Sequence, residues 1–406
     1  MNLEKYQQYS RIARGLEQAD LVLKDARIIN VFTEEIIRGD IAIQDGIIAG
    51  IGSFQGKEER DLGGKYVCPG FIDSHLHLES TLVTPAELVT VASRHGTTTF
   101  IVDPHESANV SGLAGIDYIL EQTEDVKANV YVMMPSCVPA TGIDDNGCTL
   151  TAQDMAPYLN NSRILGLGEV MDSISVVQGD KGMHDKLELF EGRIRDGHAP
   201  FLEEGDLQAY AMAGIATDHE CSFFDYAMRE RRNGLTILIR EGSAARNLEA
   251  LVGGLVQRKM NGEGFCFCTD DKHIEDIQQE GHIDHNVRKA IRLGMNPVSA
   301  IKMATINAAN CYGLKDKGAI APGRQADLLV LSDLVNVEVE DVYYKGQLID
   351  KNENIVIKPC ASELKNTVHV AEFSKEAFHL ESKDGTFPVI LCEDCLLYTS
   401  PSPRDS

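Results

Sequence analysis

The sequence predicts an α/β protein: a (β/α)8 TIM-type barrel with a small β-sandwich-like domain formed from both flanks of the chain. Three observations predict it. The middle of the chain alternates apolar strand-like runs with helix-like stretches at intervals of about 20–36 residues, the length of one βα unit. Short β segments crowd the first flank and return after the middle ends. The chain has 406 residues, 43% hydrophobic and 25% charged, which is globular and long enough for a barrel with an appendage.

Residues 20–67 read as short strands, "DLVLKDARIINV", "IIRGDIAIQDGIIAGIG" and "RDLGGKYVCPG", with Gly and Asp in the turns. A related texture at 317–349, "KGAIAPGRQADLLVLSDLVNVEVEDVYYKGQLI", points to one β-domain built from both ends with the middle inserted. The expected division is therefore 1–67, first part of the β-domain; 68–315, barrel; 316–391, return to the β-domain and start of a further C-terminal region. Residues 392–406 change abruptly to "CEDCLLYTSPSPRDS", a composition that fits a non-native tail.

In the middle, strand candidates end at His75, Asp103, Pro135, Glu169, Asp218, Arg240 and Asp270, with a weaker one before "DGHAP". Eight such units argue for a closed barrel. Between them lie stretches such as "PAELVTVASRHG", with Pro at the start and Gly at the end of a helix. An open doubly wound sheet is the structural rival, but no GxGxxG follows the first strand.

Composition narrows the partners. A net charge of −24 argues against nucleic acid and anionic membranes. The charged N-terminus carries no apolar signal region, and no apolar run is long enough to span a bilayer, so a cytoplasmic protein is expected. Ten cysteines, mostly inside apolar runs, suit reduced buried thiols; the single CxxC, Cys392 and Cys395, is a weak zinc signal.

The chemistry is carried by "PGFIDSHLHLES", residues 69–80. A strand sends residues i and i+2 to one face, so His75 and His77 project together. An isolated HxH more often closes a strand at the surface, and a lone His198 or His219 is more often a satisfied core histidine. The set reverses that weighting. Strand ends supply His75, His77, Asp103, His105, Glu169, His198, His219 and Asp270, at the barrel face where catalysis belongs. Two imidazoles from one strand, two from later strands and two carboxylates could hold a pair of divalent ions. Imidazole suits zinc, iron or nickel, and carboxylates favour iron or manganese. Glu169, midway, could bridge, and Asp270 could accept a proton from the activated water. That is hydrolytic chemistry without a nucleophilic Ser or Cys.

Taken together, "PGFIDSHLHLES", "IVDPHES", "GLGEVMD", "DGHAP", "TDHE" and "FCTDD" resemble the motifs of bacterial-type adenine deaminases of the amidohydrolase superfamily. "MATINAANCYGLKDKGAIAPGRQADLLVL" resembles that superfamily's return into its β-domain. The resemblance covers roughly residues 20–390. "LGEVMD" places Glu where many relatives carry a carboxylated lysine.

The resemblance implies hydrolysis of adenine to hypoxanthine and ammonia at a binuclear centre of manganese or iron, with zinc as the lesser option. It implies His75 and His77 on one ion with Asp270 close to it, Glu169 as bridge, and His198 and His219 on the second. Glu79, Asp103 and His105 become purine or proton-shuttle contacts, with Glu79 the next candidate base after Asp270. Asp271 is a supporting residue or a solvated turn. The expected partners are a small purine and further copies of the chain, with no nucleic acid or membrane. The rival readings are an amidohydrolase acting on a cyclic amide or another aminated heterocycle, and a scaffold without metals. Two departures stand out: Arg193 and Arg195 sit where an apolar strand is expected, and the relatives continue well beyond this chain.

Overall fold

The structure is a computed structural model that describes residues 2–385, apart from 143, 368, 380 and 382–384. Cys392, Cys395 and the 392–406 tail lie outside the described residues.

The first flank forms strands β1 (Ala19–Asn30), β2 (Glu35–Gln44), β3 (Ile47–Gly52), β4 (Gly56–Asp61) and β5 (Tyr66–Pro69). Asp45 and Gly46 between β2 and β3 have φ of 48° and 74°, the two left-handed residues of a tight hairpin. A register shift between Leu23 and Ala26, with Asp25 at φ 51°, gives β1 two neighbours along one edge: β4 first, then β5.

After the middle, β14 (Leu328–Leu331), β15 (Val339–Tyr344) and β16 (Gln347–Leu348) complete this sheet. Its order is β16-β15-β14-β5-β1-β2-β3, with β4 on β1, so both flanks do share one sheet. The join is the antiparallel pair β5–β14. Leu328 and Val330 face the core of the flank sheet, and Leu329 and Leu331 face the core beneath the central helices. A period-2 apolar strand thus fastens two cores at once.

The middle supplies β6 (Phe71–Leu76), β7 (Thr97–Val102), β8 (Asn129–Met134), β9 (Ile164–Val170), β10 (Ile194–Gly197), β11 (Thr217–Asp218), β12 (Thr236–Arg240) and β13 (Phe265–Cys268). They run parallel in two groups, β10-β9-β8-β7-β6 and β11-β12-β13, a curled sheet with helices outside. The two groups touch at both edges. His77 N donates to Asp270 O (3.0 Å) and Asp270 N to His75 O (2.9 Å), while Ala216 N donates to Arg195 O (2.9 Å).

Local sequence explains the elements. Helix Pro85–Arg94 opens on a Thr84–Glu87 capping box with Pro at its first position and ends just before Gly96, at φ 98°. In "FCFC" the phenylalanines pack outward under the helices, and Cys266 and Cys268 fill the interior with Ile72, Ile101, Met133 and Leu238. All described cysteines are free thiols. Arg193 and Arg195 are compatible with a four-residue β10 because their guanidinium groups leave it sideways. Arg193 donates to Ile164 O and Leu159 O, and Arg195 to Ala213 O. No helix among the described residues is long and apolar enough to cross a membrane.

A polar layer lies inside the curl, below the strand ends. Tyr312 directs its hydroxyl at Ser74 O (2.6 Å) and at Asp196 Oδ2 (3.0 Å), while Thr217 Oγ1 donates to Asp196 Oδ1 (2.8 Å). Burial pushes the Asp196 carboxyl up to about 7, with Thr217 and Tyr312 drawing it down. Asp73 makes a similar tie between β6 and β13, accepting from Thr269 N (3.0 Å) and Thr269 Oγ1 (2.6 Å). Tyr312→Phe keeps the ring and deletes this junction. It should cost about 1–3 kcal/mol, the range for stranding a buried polar group. Denaturant unfolding measures it, and an unchanged midpoint would mean the hydroxyl bears no stability.

Candidate metal centre

β6 ends by pointing two imidazoles at one spot. His75 and His77 are both buried, with Nε2 atoms 3.1 Å apart and rings edge to face. His77 Nδ1 donates to Asp103 O (2.8 Å), which turns its Nε2 towards His75. Asp270 Oδ1 stands 3.3 Å from His77 Nε2 and 3.7 Å from His75 Nε2. His75 Nδ1 and His219 Nδ1 are buried without hydrogen-bond partners among the described residues, and the two rings stack at 4.1 Å. Imidazole nitrogens converging with carboxylate oxygens form the donor set of a divalent cation.

Glu169, at the end of β9, sits between two halves of the cluster. Its Oε1 lies 3.0 Å from His105 Nδ1 and 3.4 Å from His77 Nε2. Its Oε2 lies 2.8 Å from His198 Nδ1 and 3.2 Å from His219 Nε2. Groups that could hold an ion thus include His75–His77–Glu169, His75–His219–Asp270 and Glu169–His198–His219. Burial would raise the Glu169 carboxyl, but His105 first, then His198 and His219, hold it well below the usual carboxylate range.

The backbone around Glu169 is equally constrained. Its N–H donates to Asp103 Oδ2 (2.7 Å), and Ser136 Oγ donates to its carbonyl (2.5 Å). Gly168 is required beside it, because a Cβ there would lie 2.2 Å from Asp103 Oδ2. The second glycine of "GLGEVMD" therefore makes room for the carboxylate that holds the bridge candidate.

Asp270 follows β13 with φ at 59°, unusual for a side-chain-bearing residue, while its N–H and C=O are both tied to β6. Its other oxygen, Oδ2, accepts from Arg240 Nη1 at 2.8 Å. Burial opposes ionisation of Asp270, but Arg240 keeps the carboxyl well below its ordinary range. Burial, with Asp270 beside it, pushes Asp271 up to about 6.

The remaining sequence-derived residues lie on the β7 side. His105 Nε2 is 3.2 Å from Glu106 Oε1, and Glu79 Oε1 accepts from Ser107 N (3.0 Å). Burial and the neighbouring Glu106 push Glu79 up to about 8. The structure brings His75, His77, Asp103, His105, Glu169, His198, His219 and Asp270 together, with Glu79 and Asp271 at the margin.

Sequence reasoning missed Glu106, Glu220 and Arg240. Glu220 Oε1 lies 3.4 Å from His219 Nε2, and Arg240 joins Glu220 to Asp270. The available signal was position. Glu106 follows His105, Glu220 follows His219, and Arg240 is a charged residue closing the apolar run "LTILI".

The sequence profile of the amidohydrolase family matches residues 66–349. The chain belongs to the amidohydrolase family. Curated relatives named adenine deaminase include that of Desulfitobacterium hafniense (strain Y51), 54% identical over 96% of this chain and 68% of its own length. Those of Clostridium acetobutylicum and Geobacillus kaustophilus are each 45% identical, over 91% and 86% of this chain and 65% and 61% of theirs. The chain thus spans about two thirds of the relatives it matches. Among solved structures, a crystal structure of an adenine deaminase superposes with a TM-score of 0.60 at 16% identity, over 82% of this chain and all of that one. N-acetyl-D-glucosamine-6-phosphate deacetylase from Mycobacterium smegmatis gives 0.61 at 16%, over 81% of this chain and all of that one. At such identities the likeness is one of fold.

Gly168→Ala tests the support of the bridge candidate. The added methyl group must displace Asp103, and Glu169 with it, so the variant should fold but lose bound metal. Circular dichroism with elemental analysis measures both. A wild-type metal content would show that the glycine is dispensable.

Proposed function

We propose that the chain hydrolyses adenine to hypoxanthine and ammonia at a centre for two divalent ions. The observation that carries this is Glu169, whose two oxygens each face their own imidazoles, His77 and His105 on one side, His198 and His219 on the other. The name shared by the relatives supports adenine as the substrate.

In this reading His75 and His77 hold one ion with Asp270 beside it, Glu169 bridges, and His198 and His219 hold the other. The mixture of imidazole and carboxylate favours manganese or iron, with zinc the lesser fit. Two such ions, when bound, supply Lewis acidity and hydroxide near neutral pH. The residues do the rest. Water adds at C6 of the purine; Asp270 Oδ1 takes one of its protons and passes it to the departing amino group, while the other ends on N1 of the product. The C6–N bond breaks, and ammonia and hypoxanthine leave. Glu79, Asp103 and His105 contact the purine or relay protons. Asp103 has only Oδ1 to offer, because Oδ2 is engaged by Glu169 N.

The same reading takes the eight parallel strands as a closed (β/α)8 barrel, supported by the contacts at both edges. It divides the chain at 1–67, 68–315 and 316–391, and takes it to be a cytoplasmic homo-oligomer.

The test is ammonia release from adenine, other purines and cyclic amides by the purified chain, with metal content measured on the same sample. Adenine should be the preferred substrate. Turnover of a cyclic amide alone would overturn the substrate, and a chain that takes up neither manganese, iron nor zinc would overturn the centre. Glu169→Gln keeps size and removes charge, so it should lose one metal equivalent and essentially all turnover. Asp270→Asn should keep most of its metal and slow catalysis about 10²–10⁴-fold, the usual contribution of a positioned acid–base group. Unimpaired turnover in that variant would move the base to Glu79.

A further inference from the structure

We propose that Arg240 is a positioning residue for Asp270, with Glu220 as the counter-ion that makes the arrangement tolerable. This rests on the reading of Asp270 as the proton acceptor.

Arg240 closes β12 and is 3% exposed. Its guanidinium donors go to three partners. Nε donates to Asn247 Oδ1 (2.9 Å), Nη1 and Nη2 together grip Glu220 as a fork, and Nη1 also donates to Asp270 Oδ2 (2.8 Å). The fork and the Asn247 contact fix the plane of the group, which a flexible ammonium could not do. Asp270 therefore cannot swing: Oδ2 is held, and Oδ1 is presented to His75 and His77.

Charge explains the third member. A buried guanidinium needs anionic partners in place of water. Glu220 supplies one by taking two bonds from that guanidinium, and Asp270 supplies the other. Glu220 is itself buried and follows His219 directly, so the triad also links β11, β12 and β13 at their C-terminal ends. The guanidinium of Arg240 is engaged by Asn247, Glu220 and Asp270. Its effect runs through Asp270.

Arg240→Lys keeps the charge and loses the fork; Arg240→Gln loses both and risks stranding two buried carboxylates. In the full-length, metal-loaded protein, Arg240→Lys should lower kcat on the order of 10²-fold, the scale for a misplaced reacting group, with KM within about twofold. Combining Arg240→Lys with Asp270→Asn should be no worse than Asp270→Asn alone, since both act through one carboxylate. A merely structural role would make the losses multiply, and that result would overturn the proposal. So would a rise in KM with kcat unchanged.

A crystal structure of metal-loaded Arg240→Lys or Arg240→Gln gives a reading independent of any reaction. Asp270 should leave its wild-type rotamer, and an unmoved Asp270 would overturn the proposal even if the chain proved inactive on adenine. Wild-type inactivity on adenine would sink the functional reading alone.

Discussion

A carboxylate removed from water is tolerable only where cations or donors replace the lost solvent, and Glu169 is 3% exposed. Four imidazoles lie against its oxygens, and two hydrogen bonds fix the peptide units on either side of its Cα. Those imidazoles come from the residues after β6, β7, β10 and β11, so Glu169 is where five strand ends converge. Each strand must arrive in register for the carboxylate to be satisfied, which ties the curl of the sheet to the chemistry at its rim.

Beneath the rim, the polar layer of Asp73, Asp196, Thr217, Thr269 and Tyr312 does for the ligands what the imidazoles do for Glu169. Asp73 lies two residues before His75, Asp196 two before His198, and Thr217 two before His219. Alternation in a strand puts each pair on the same face, so the lower member, hydrogen-bonded across to a neighbouring strand, fixes the direction of the upper one. The layers also differ in chemistry: imidazoles gather at the rim, and hydroxyl–carboxyl pairs sit below.

Much of this was legible in the sequence, for a physical reason. Strands buried on both faces read as unbroken apolar runs, so "FCFC" announces itself, and ligands at such ends stand out by contrast. The β10 strand was harder, because Arg193 and Arg195 mask it; only the fold shows their guanidinium groups turned onto backbone carbonyls. Arg240 and Glu220 were opaque. A charge at a strand end looks like solvated punctuation until its partners, 20 and 30 residues away, are brought beside it. Asp103 shows the same limit: its place at a strand end is visible, but not its bond to the Glu169 backbone.

The pairing of β5 with β14 has a consequence in time. β5 is complete by residue 69, whereas its partner begins at residue 328, after every strand of the central sheet. During synthesis at about 5–20 residues per second, one edge of the first-flank sheet waits on the order of tens of seconds for the strand that closes it. Throughout that interval it presents unpaired N–H and C=O groups to any other nascent chain. The closing strand can arrive in place only once the intervening helices have brought it back, so this pairing is gated by the folding of the central body.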